Sequence, residues 1–134
     1  MGSPFGLVVD DDPQVRFIFA EVLRNAGIRI MEAGSGAEAM ALARLPDLAF
    51  VVTDIEMSDG DGLDLCRDLR ASITARLPIV VVTGAAFSQA DVAKAAGCDV
   101  VLEKPCSPML LVATIKQLLE VATAHPAATN GDGP

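Results

Sequence analysis

The sequence predicts an α/β fold, a single doubly wound domain built on a parallel sheet. Apolar runs of strand length alternate five times with segments of helical period, the pattern that covers parallel strands with helices on both faces. Two of the runs, LAFVVT at 48–53 and LPIVVVT at 77–83, are almost wholly apolar, as strands buried on both faces must be. The helical segments also open on residues suited to capping. At 134 residues the chain has room for one such domain.

Each element has its own justification. Strand 1 spans Phe5 to Val9. The first helix opens on Asp12 as N-cap with Pro13 at its first position, because a side-chain oxygen satisfies free N–H groups of the first turn and proline has none to satisfy. It places Val15, Ile18, Phe19, Val22 and Ala26 on one face and stops at Gly27. Strand 2 runs from Ile28 to Glu32, and Ser35 with Glu38 forms a capping-box start for the second helix. Strand 3, Leu48 to Thr53, precedes a helix from about Leu63 that carries Cys66, Leu69 and Ile73 at helical spacing. Strand 4 covers Leu77 to Thr83, and Ser88 with Asp91 repeats the capping box. Strand 5, Val100 to Leu102, leads to Ser107 and Pro108, an N-cap and proline ahead of Leu111, Ile115, Leu118, Leu119 and Ala122. Residues 123–134, TAHPAATNGDGP, show no periodicity and read as a flexible tail after a domain of residues 5–122.

Composition removes several classes of function. With 51% apolar and 21% charged residues the chain can fill a core, which excludes disorder. Eighteen acids against ten bases and an isoelectric point near 4.4 argue against a nucleic-acid footprint, which needs clustered Lys and Arg. Cys66, Cys98 and Cys106 are odd in number and widely spaced, with no CxxC pair and only one histidine in the chain, which is not a zinc-site pattern, so a reduced cytoplasmic setting is expected. The N-terminus lacks a basic n-region, and no apolar run approaches the roughly 20 residues of a membrane-spanning helix, so no membrane association is expected.

In a doubly wound sheet, one reversal of winding direction opens a crevice at the carboxyl ends of the strands. The residues just after each strand are therefore the candidates for function. They are Asp10-Asp11-Asp12, Asp54-Ile55-Glu56, Thr83-Gly84 and Glu103-Lys104-Pro105. Taken singly, each has an ordinary reading: Asp12 is a helix cap, Asp10 and Asp11 are turn acids, Thr83 is a common strand end, and Lys104-Pro105 is a strand exit. On one rim they add up differently. Carboxylates about 4 Å apart repel by about 1 kcal/mol in water and about 4 kcal/mol near a protein surface, so Asp10, Asp11 and Asp54 together call for a cation. Oxygen-only ligands point to a hard ion, Mg²⁺ or Mn²⁺. Asp54 is then a candidate nucleophile toward phosphorus. Mg²⁺ would neutralise the reacting charges, while Lys104, the Thr83 hydroxyl and the backbone N–H after it would take up charge on phosphoryl oxygens. Gly84 leaves room for that approach.

The motifs VVDDD at 8–12, VVTDIEMSDGDGLDL at 51–65, VVVTGAA at 80–86 and VLEKP at 101–105 resemble the receiver domain of bacterial two-component response regulators, of the chemotaxis-regulator kind. The resemblance covers about residues 5–122, with four motifs in order and at matching spacing. It implies a (βα)₅ flavodoxin-like fold with strand order 2-1-3-4-5. It further implies that Asp54 is the phosphoacceptor, that Asp11 and Asp54 bind Mg²⁺ directly, that Asp10 does so largely through water, and that the Glu56 carbonyl is a further ligand. Thr83 and Lys104 become the phosphate-sensing pair. The implied partners are a cognate histidine kinase or histidine phosphotransfer protein upstream and a protein target downstream, docking on the face of the fourth helix, fifth strand and fifth helix. The protein would be no enzyme in the usual sense, assisting only its own phosphorylation and dephosphorylation. A stand-alone regulator without an output domain, monomeric or weakly dimeric, is expected.

Four positions depart from the family pattern. Val101 stands where a Tyr or Phe usually swings inward, so aromatic switching is not expected. Glu56 sets an extra carboxylate beside the site, either orienting or repelling the hydrolytic water or simply solvated. Ser58 replaces a frequent proline, and Cys106 replaces a frequent phenylalanine as a core-edge packing residue. Two other functions were weighed. A receiver-fold interaction module independent of phosphorylation has no need of the complete set Asp10, Asp11, Asp54, Thr83 and Lys104. A haloacid-dehalogenase-like phosphatase would share the acid pair Asp54 and Glu56, but 134 residues leave no room for its cap and later motifs. A calcium loop starting at Asp54 fails because its sixth position is Asp59 instead of glycine.

The charge is unevenly spread. Eight acids lie in residues 10–12 and 54–64 with no Lys or Arg among them, and the remaining ten acids are matched by the ten bases. The excess of -8 thus belongs to two strand-end loops expected to share one rim.

Overall fold

A computed structural model of the chain describes residues 3–57, 60–73, 76–84 and 88–124. In chain order its elements are β1 (Phe5–Val9), α1 (Pro13–Asn25), β2 (Ile30–Ala33), α2 (Gly36–Ala43), β3 (Leu48–Asp54), a small hairpin of β4 (Glu56–Met57) and β5 (Gly60–Asp61), α3 (Gly62–Ser72), β6 (Ile79–Thr83), α4 (Ser88–Ala95), β7 (Val100–Glu103) and α5 (Pro108–Ala124). The main sheet is parallel throughout, in the order β2-β1-β3-β6-β7. With the hairpin set aside this is the expected order 2-1-3-4-5. The winding reverses at β1, which pairs with β2 on one side and β3 on the other.

Strand alternation divides the core into two layers. Leu7, Val9, Val51, Ile79 and Val81 pack against residues of α2, α3 and α4 such as Ala39, Leu69 and Ala93. Val8, Phe50, Val52, Val80 and Val82 pack against Phe19, Ala20 and Leu23 of α1 and Leu111 and Ile115 of α5. The central strands are buried on both faces, which accounts for their unbroken apolar runs.

The ends of α1 and α2 follow the expected chemistry with one-residue refinements. The Asp12 side chain accepts from the N–H groups of Gln14 and Val15 at 2.9 and 3.4 Å, with Pro13 in the first turn. At the other end of α1, Gly27 has φ +89 and donates to the Arg24 carbonyl, while the Ile28 N–H donates to the Leu23 carbonyl. This pairing closes the helix as a Schellman motif. It also occupies the Ile28 N–H, so β2 begins at Ile30, later than the expected Ile28. Ser35 caps α2 by accepting from the Glu38 N–H, but Glu38 returns its acceptor to the Gly34 N–H, one residue before the cap. Pro78 has no N–H to give to a ladder, and β6 accordingly starts at Ile79 and not at Leu77.

The buried stripe of α1 is rotated from the expected one. Phe19, Ala20 and Leu23 are buried, whereas Ile18 is 53% exposed. Phe19 and Ala20 lie four and three residues before Leu23, so these three share one face of the helix and Ile18 falls outside it. There Ile18 helps line an apolar groove of about 280 Å³ with Phe19, Lys104, Pro105, Cys106 and Pro108. At the amino ends of the strands, Arg70 of α3 donates to the carbonyls of Gly97 and Leu77 and pairs with Asp99, which itself accepts from the Ile79 N–H. The helix α5 continues through Thr123 and Ala124, and the rest of the expected tail lies outside the described residues, as do Ser58 and Asp59.

Candidate functional site

The crevice opened by the reversal at β1 lies between the carboxyl ends of β1 and β3. Asp10 follows β1, Asp54 ends β3, and alternation projects both on the side of Val8 and Val52, toward α1 and α5. Both are buried, at 2% and 8% exposure. With Asp11 they offer carboxylate oxygens that all lie within 4.8 Å of one another. Lys104, reaching in from the exit of β7, places its Nζ 3.3 Å from Asp54 Oδ2 and 3.4 Å from Asp10 Oδ2. The Lys104–Pro105 peptide is cis.

Backbone donors complete the crevice. The Asp12 N–H donates to Asp10 Oδ1 at 2.9 Å, and the Glu56 N–H donates to Asp54 Oδ1 at 3.3 Å. The Lys104 N–H donates to the Thr83 carbonyl at 2.8 Å, tying the exits of β6 and β7 together. Thr83 is buried at the end of β6, on the opposite face of the sheet from Asp54, the side of Ile79 and Val81. Gly84 after it is exposed. Val101, half-buried and paired with Val81, occupies the same face as Thr83. The Glu56 side chain is exposed on β4. Thus Asp10, Asp11, Asp54 and Lys104 form one cluster, with Thr83 and Glu56 at its margin.

Burial pushes the Asp10 carboxyl above its ordinary value of 3.8 and the charge of Asp54 adds to the rise, while the Asp12 N–H and Lys104 oppose it. Burial works against the Lys104 ammonium too, but the Asp10 and Asp54 carboxylates outweigh it and hold its pKa above 10.5. For Asp10 the folded chain binds the proton more tightly than the unfolded chain does. Its ionisation therefore opposes folding: the cost is absent below pH 3.8 and grows as pH rises toward the raised folded value. In metal-free buffer at pH 7, Asp10→Asn should raise the thermal midpoint by about 2–5 °C, as desolvation of the carboxylate and its repulsion by Asp54 are relieved. The gain should vanish below about pH 4, where the carboxyl is protonated in both states. A midpoint unchanged or lowered at pH 7 in a thermal melt would overturn this account.

The donor set suits a hard divalent cation. Three carboxylates converge with no nitrogen or sulfur donor among them, which fits Mg²⁺, an ion that takes one or two carboxylates and keeps several waters. The remaining candidate residue type, cysteine, stays apart: Cys106 lines the groove and burial pushes its thiol pKa up.

Two residues that support the crevice are not evident from strand-end reading. Arg16 of α1 donates from Nη1 to the Asp10 carbonyl at 2.8 Å. Gly62, the first residue of α3, packs directly on the Asp54 backbone, where a Cβ would meet the Asp54 carbonyl oxygen at 1.9 Å. The repeated Asp-Gly pairs at 59–62 signal a turn before α3, but not this contact.

Residues 7–116 match the family described as response regulator receiver domain. The chain belongs to that family. Among curated relatives of this receiver, the transcriptional regulatory protein PdtaR of Mycobacterium tuberculosis is 39% identical over 114 residues, covering 82% of the chain and 54% of the relative. The chain spans about half the length of the curated relatives it matches, which include proteins named DNA-binding response regulator MtrA. Its fold is that of a CheY-like receiver domain protein from Methanospirillum hungatei, with a TM-score of 0.85 at 23% identity over 92% of this chain and 99% of that one. The response regulator protein TrrA of Thermotoga maritima, solved in complex with Mg²⁺-BeF, is 28% identical with a TM-score of 0.76 over 88% of this receiver and 99% of TrrA. Among the described residues of the receiver, no helix is long and apolar enough to cross a membrane.

Proposed function

We propose that this receiver accepts a phosphoryl group on Asp54 from a phosphohistidine donor and so acts as the switch of a two-component system or phosphorelay. The observation that carries the reading is the Lys104 ammonium lodged between the Asp10 and Asp54 carboxylates at 3.3–3.4 Å, in a crevice where a third carboxylate converges. A lysine held there is a cation already in place for phosphoryl oxygens. The naming of the Thermotoga protein as a Mg²⁺-BeF complex supports the same assignment by likeness.

Asp10, Asp11 and Asp54, with the Glu56 carbonyl, would hold Mg²⁺, which when bound supplies positive charge against the attacking carboxylate and the transferring oxygens. An Asp54 carboxylate oxygen forms the new P–O bond as the P–N bond of the donor breaks. The electron pair of that bond returns to the imidazole, which takes up a proton. Lys104 exchanges its contact with the Asp54 carboxylate for one with a phosphoryl oxygen. The Thr83 hydroxyl, at the adjacent strand end, accepts the role of sensing that oxygen, with Gly84 leaving the approach open. The new charge then shifts the population between two packings of α4, β7 and α5, the surface through which a downstream protein reads the state. An acidic rim gives these residues no polyanion footprint, so DNA contact of the kind named for the MtrA relatives is not assigned to them.

The test is treatment with a small acyl phosphate and Mg²⁺ followed by intact mass. The wild type should gain one phosphoryl group and Asp54→Asn none. No gain in the wild type would favour an interaction module that works without phosphorylation.

A further inference from the structure

We propose that Arg16 is a positioning residue for the acidic crevice, holding the peptide between Asp10 and Asp11 so that both carboxylates converge on Asp54. The inference rests on the reading of that crevice as a Mg²⁺ site. Asp10 lies one residue beyond the ladder of β1, whose pairing with β2 and β3 ends at Val9. Its N–H still reaches the Ala33 carbonyl at 3.1 Å, whereas its own carbonyl lies beyond the end of the ladder. That carbonyl is buried with the rest of Asp10, and it joins the two residues whose carboxylates converge with Asp54. Arg16 is the side chain that meets it, donating from Nη1 at 2.8 Å.

The reach follows from helix geometry. Arg16 closes the first turn of α1, its N–H bonded to the Asp12 carbonyl at 3.0 Å, and side chains in a helix lean toward its N-terminus. Its guanidinium is therefore carried back over the exit of β1. The other edge of the guanidinium is fixed: Nε pairs with Glu32 Oε1 of β2 at 3.2 Å. Glu32 is held in turn by Arg24 at 3.1 Å, and Arg24 donates to the Ile30 carbonyl at 3.1 Å. The planar fork thus bridges α1, the β2 edge and the crevice loop, a task a point cation cannot perform. Residues behind metal ligands commonly set affinity by a factor of 10 to 100 through such orientation.

Titration of the folded chain with MgCl₂, followed by calorimetry or by the amide signals of Asp10 and Asp11, separates orientation from general stability. Arg16→Ala should weaken Mg²⁺ binding about tenfold. Arg16→Lys, which keeps the charge but loses the fork, should fall between Arg16→Ala and the wild type. Arg24→Ala breaks the same Glu32 network without touching the Asp10 carbonyl, so it should lower the melting midpoint yet leave the Mg²⁺ affinity unchanged. Equal affinity in Arg16→Ala and the wild type overturns the proposal, as does a loss in Arg24→Ala matching that in Arg16→Ala. Should Arg16→Ala fail to fold, Arg16→Lys binding Mg²⁺ as tightly as the wild type overturns it equally. A wild type that binds no Mg²⁺ overturns the metal reading itself, and the proposal with it.

Discussion

Gly62→Ala is expected to slow phosphoryl incorporation at Asp54 about 100-fold and to lower the thermal midpoint by about 10 °C. The Cβ would sit 1.9 Å from the Asp54 carbonyl oxygen, 2.9 Å from its carbonyl carbon and 3.1 Å from Ile55 Cα. All three are backbone atoms, so no rotamer change relieves the overlap. Nor can α3 simply back away, because the Gly62 N–H donates to the Ile55 carbonyl at 2.7 Å and Leu63, Leu65 and Leu69 just beyond are buried. The strain is released by moving the end of β3, and a displacement of about 1 Å in a reacting group is enough to cost about 100-fold in rate. Overpacking of this kind costs about 1–3 kcal/mol, and the upper end corresponds to the stated midpoint shift for a chain of this length. Rates from intact mass over time, together with a thermal melt, check both halves. A variant that melts and reacts within threefold of the wild type would show that the β3 end has slack.

Gly6→Ala is expected to destabilise the fold by about 3 kcal/mol or more while leaving the crevice chemistry of the molecules that remain folded unchanged. Gly6 lies in β1 directly opposite Phe50 of β3, and a Cβ there would fall 2.0 Å from Phe50 Cζ and 2.4 Å from each Cε. The Phe50 ring is itself 1% exposed, packed on the α1 and α5 side with Val8 and Val52, so it has little freedom to swing away. The two positions therefore behave as one unit. Phe50→Leu alone should cost about 1–2 kcal/mol, yet combined with Gly6→Ala it should recover part of the loss, making the double variant more stable than Gly6→Ala. Denaturant unfolding of the four proteins measures the coupling. Strict additivity would mean that the ring is not what excludes the methyl group.

These glycines mark the boundary of what the chain discloses on its own. The alternation of apolar runs and capped helices sufficed for the sheet and its layers, because burial on both faces and cap chemistry are local demands written into adjacent residues. Asp10, Asp11, Asp54 and Lys104 were legible for a related reason: in a doubly wound sheet the strand exits must meet at one rim, so position in the chain stands for position in space. Contacts between elements are another matter. That Gly6 leaves space for Phe50, or Gly62 for the Asp54 backbone, depends on distances between segments 44 and 8 residues apart in the chain. The α1 stripe shows the same limit on a smaller scale. Period alone cannot tell whether Ile18 or Ala20 faces the sheet, because either fits an apolar stripe at helical spacing. Arg16 reads as an ordinary surface arginine until the exit of β1 is seen to pass beneath it.

Strand alternation also separates two conversations in space. Asp10, Asp54 and Lys104 work on the side of the sheet covered by α1 and α5, whereas Thr83 and Val101 lie on the side of α3 and α4. The two sides meet at the rim, where the Lys104 N–H donates to the Thr83 carbonyl at 2.8 Å. Under the proposed reading α5 belongs to both neighbourhoods, covering the crevice side of the sheet and forming part of the α4, β7 and α5 face, so a donor at the crevice and a reader of that face share this helix.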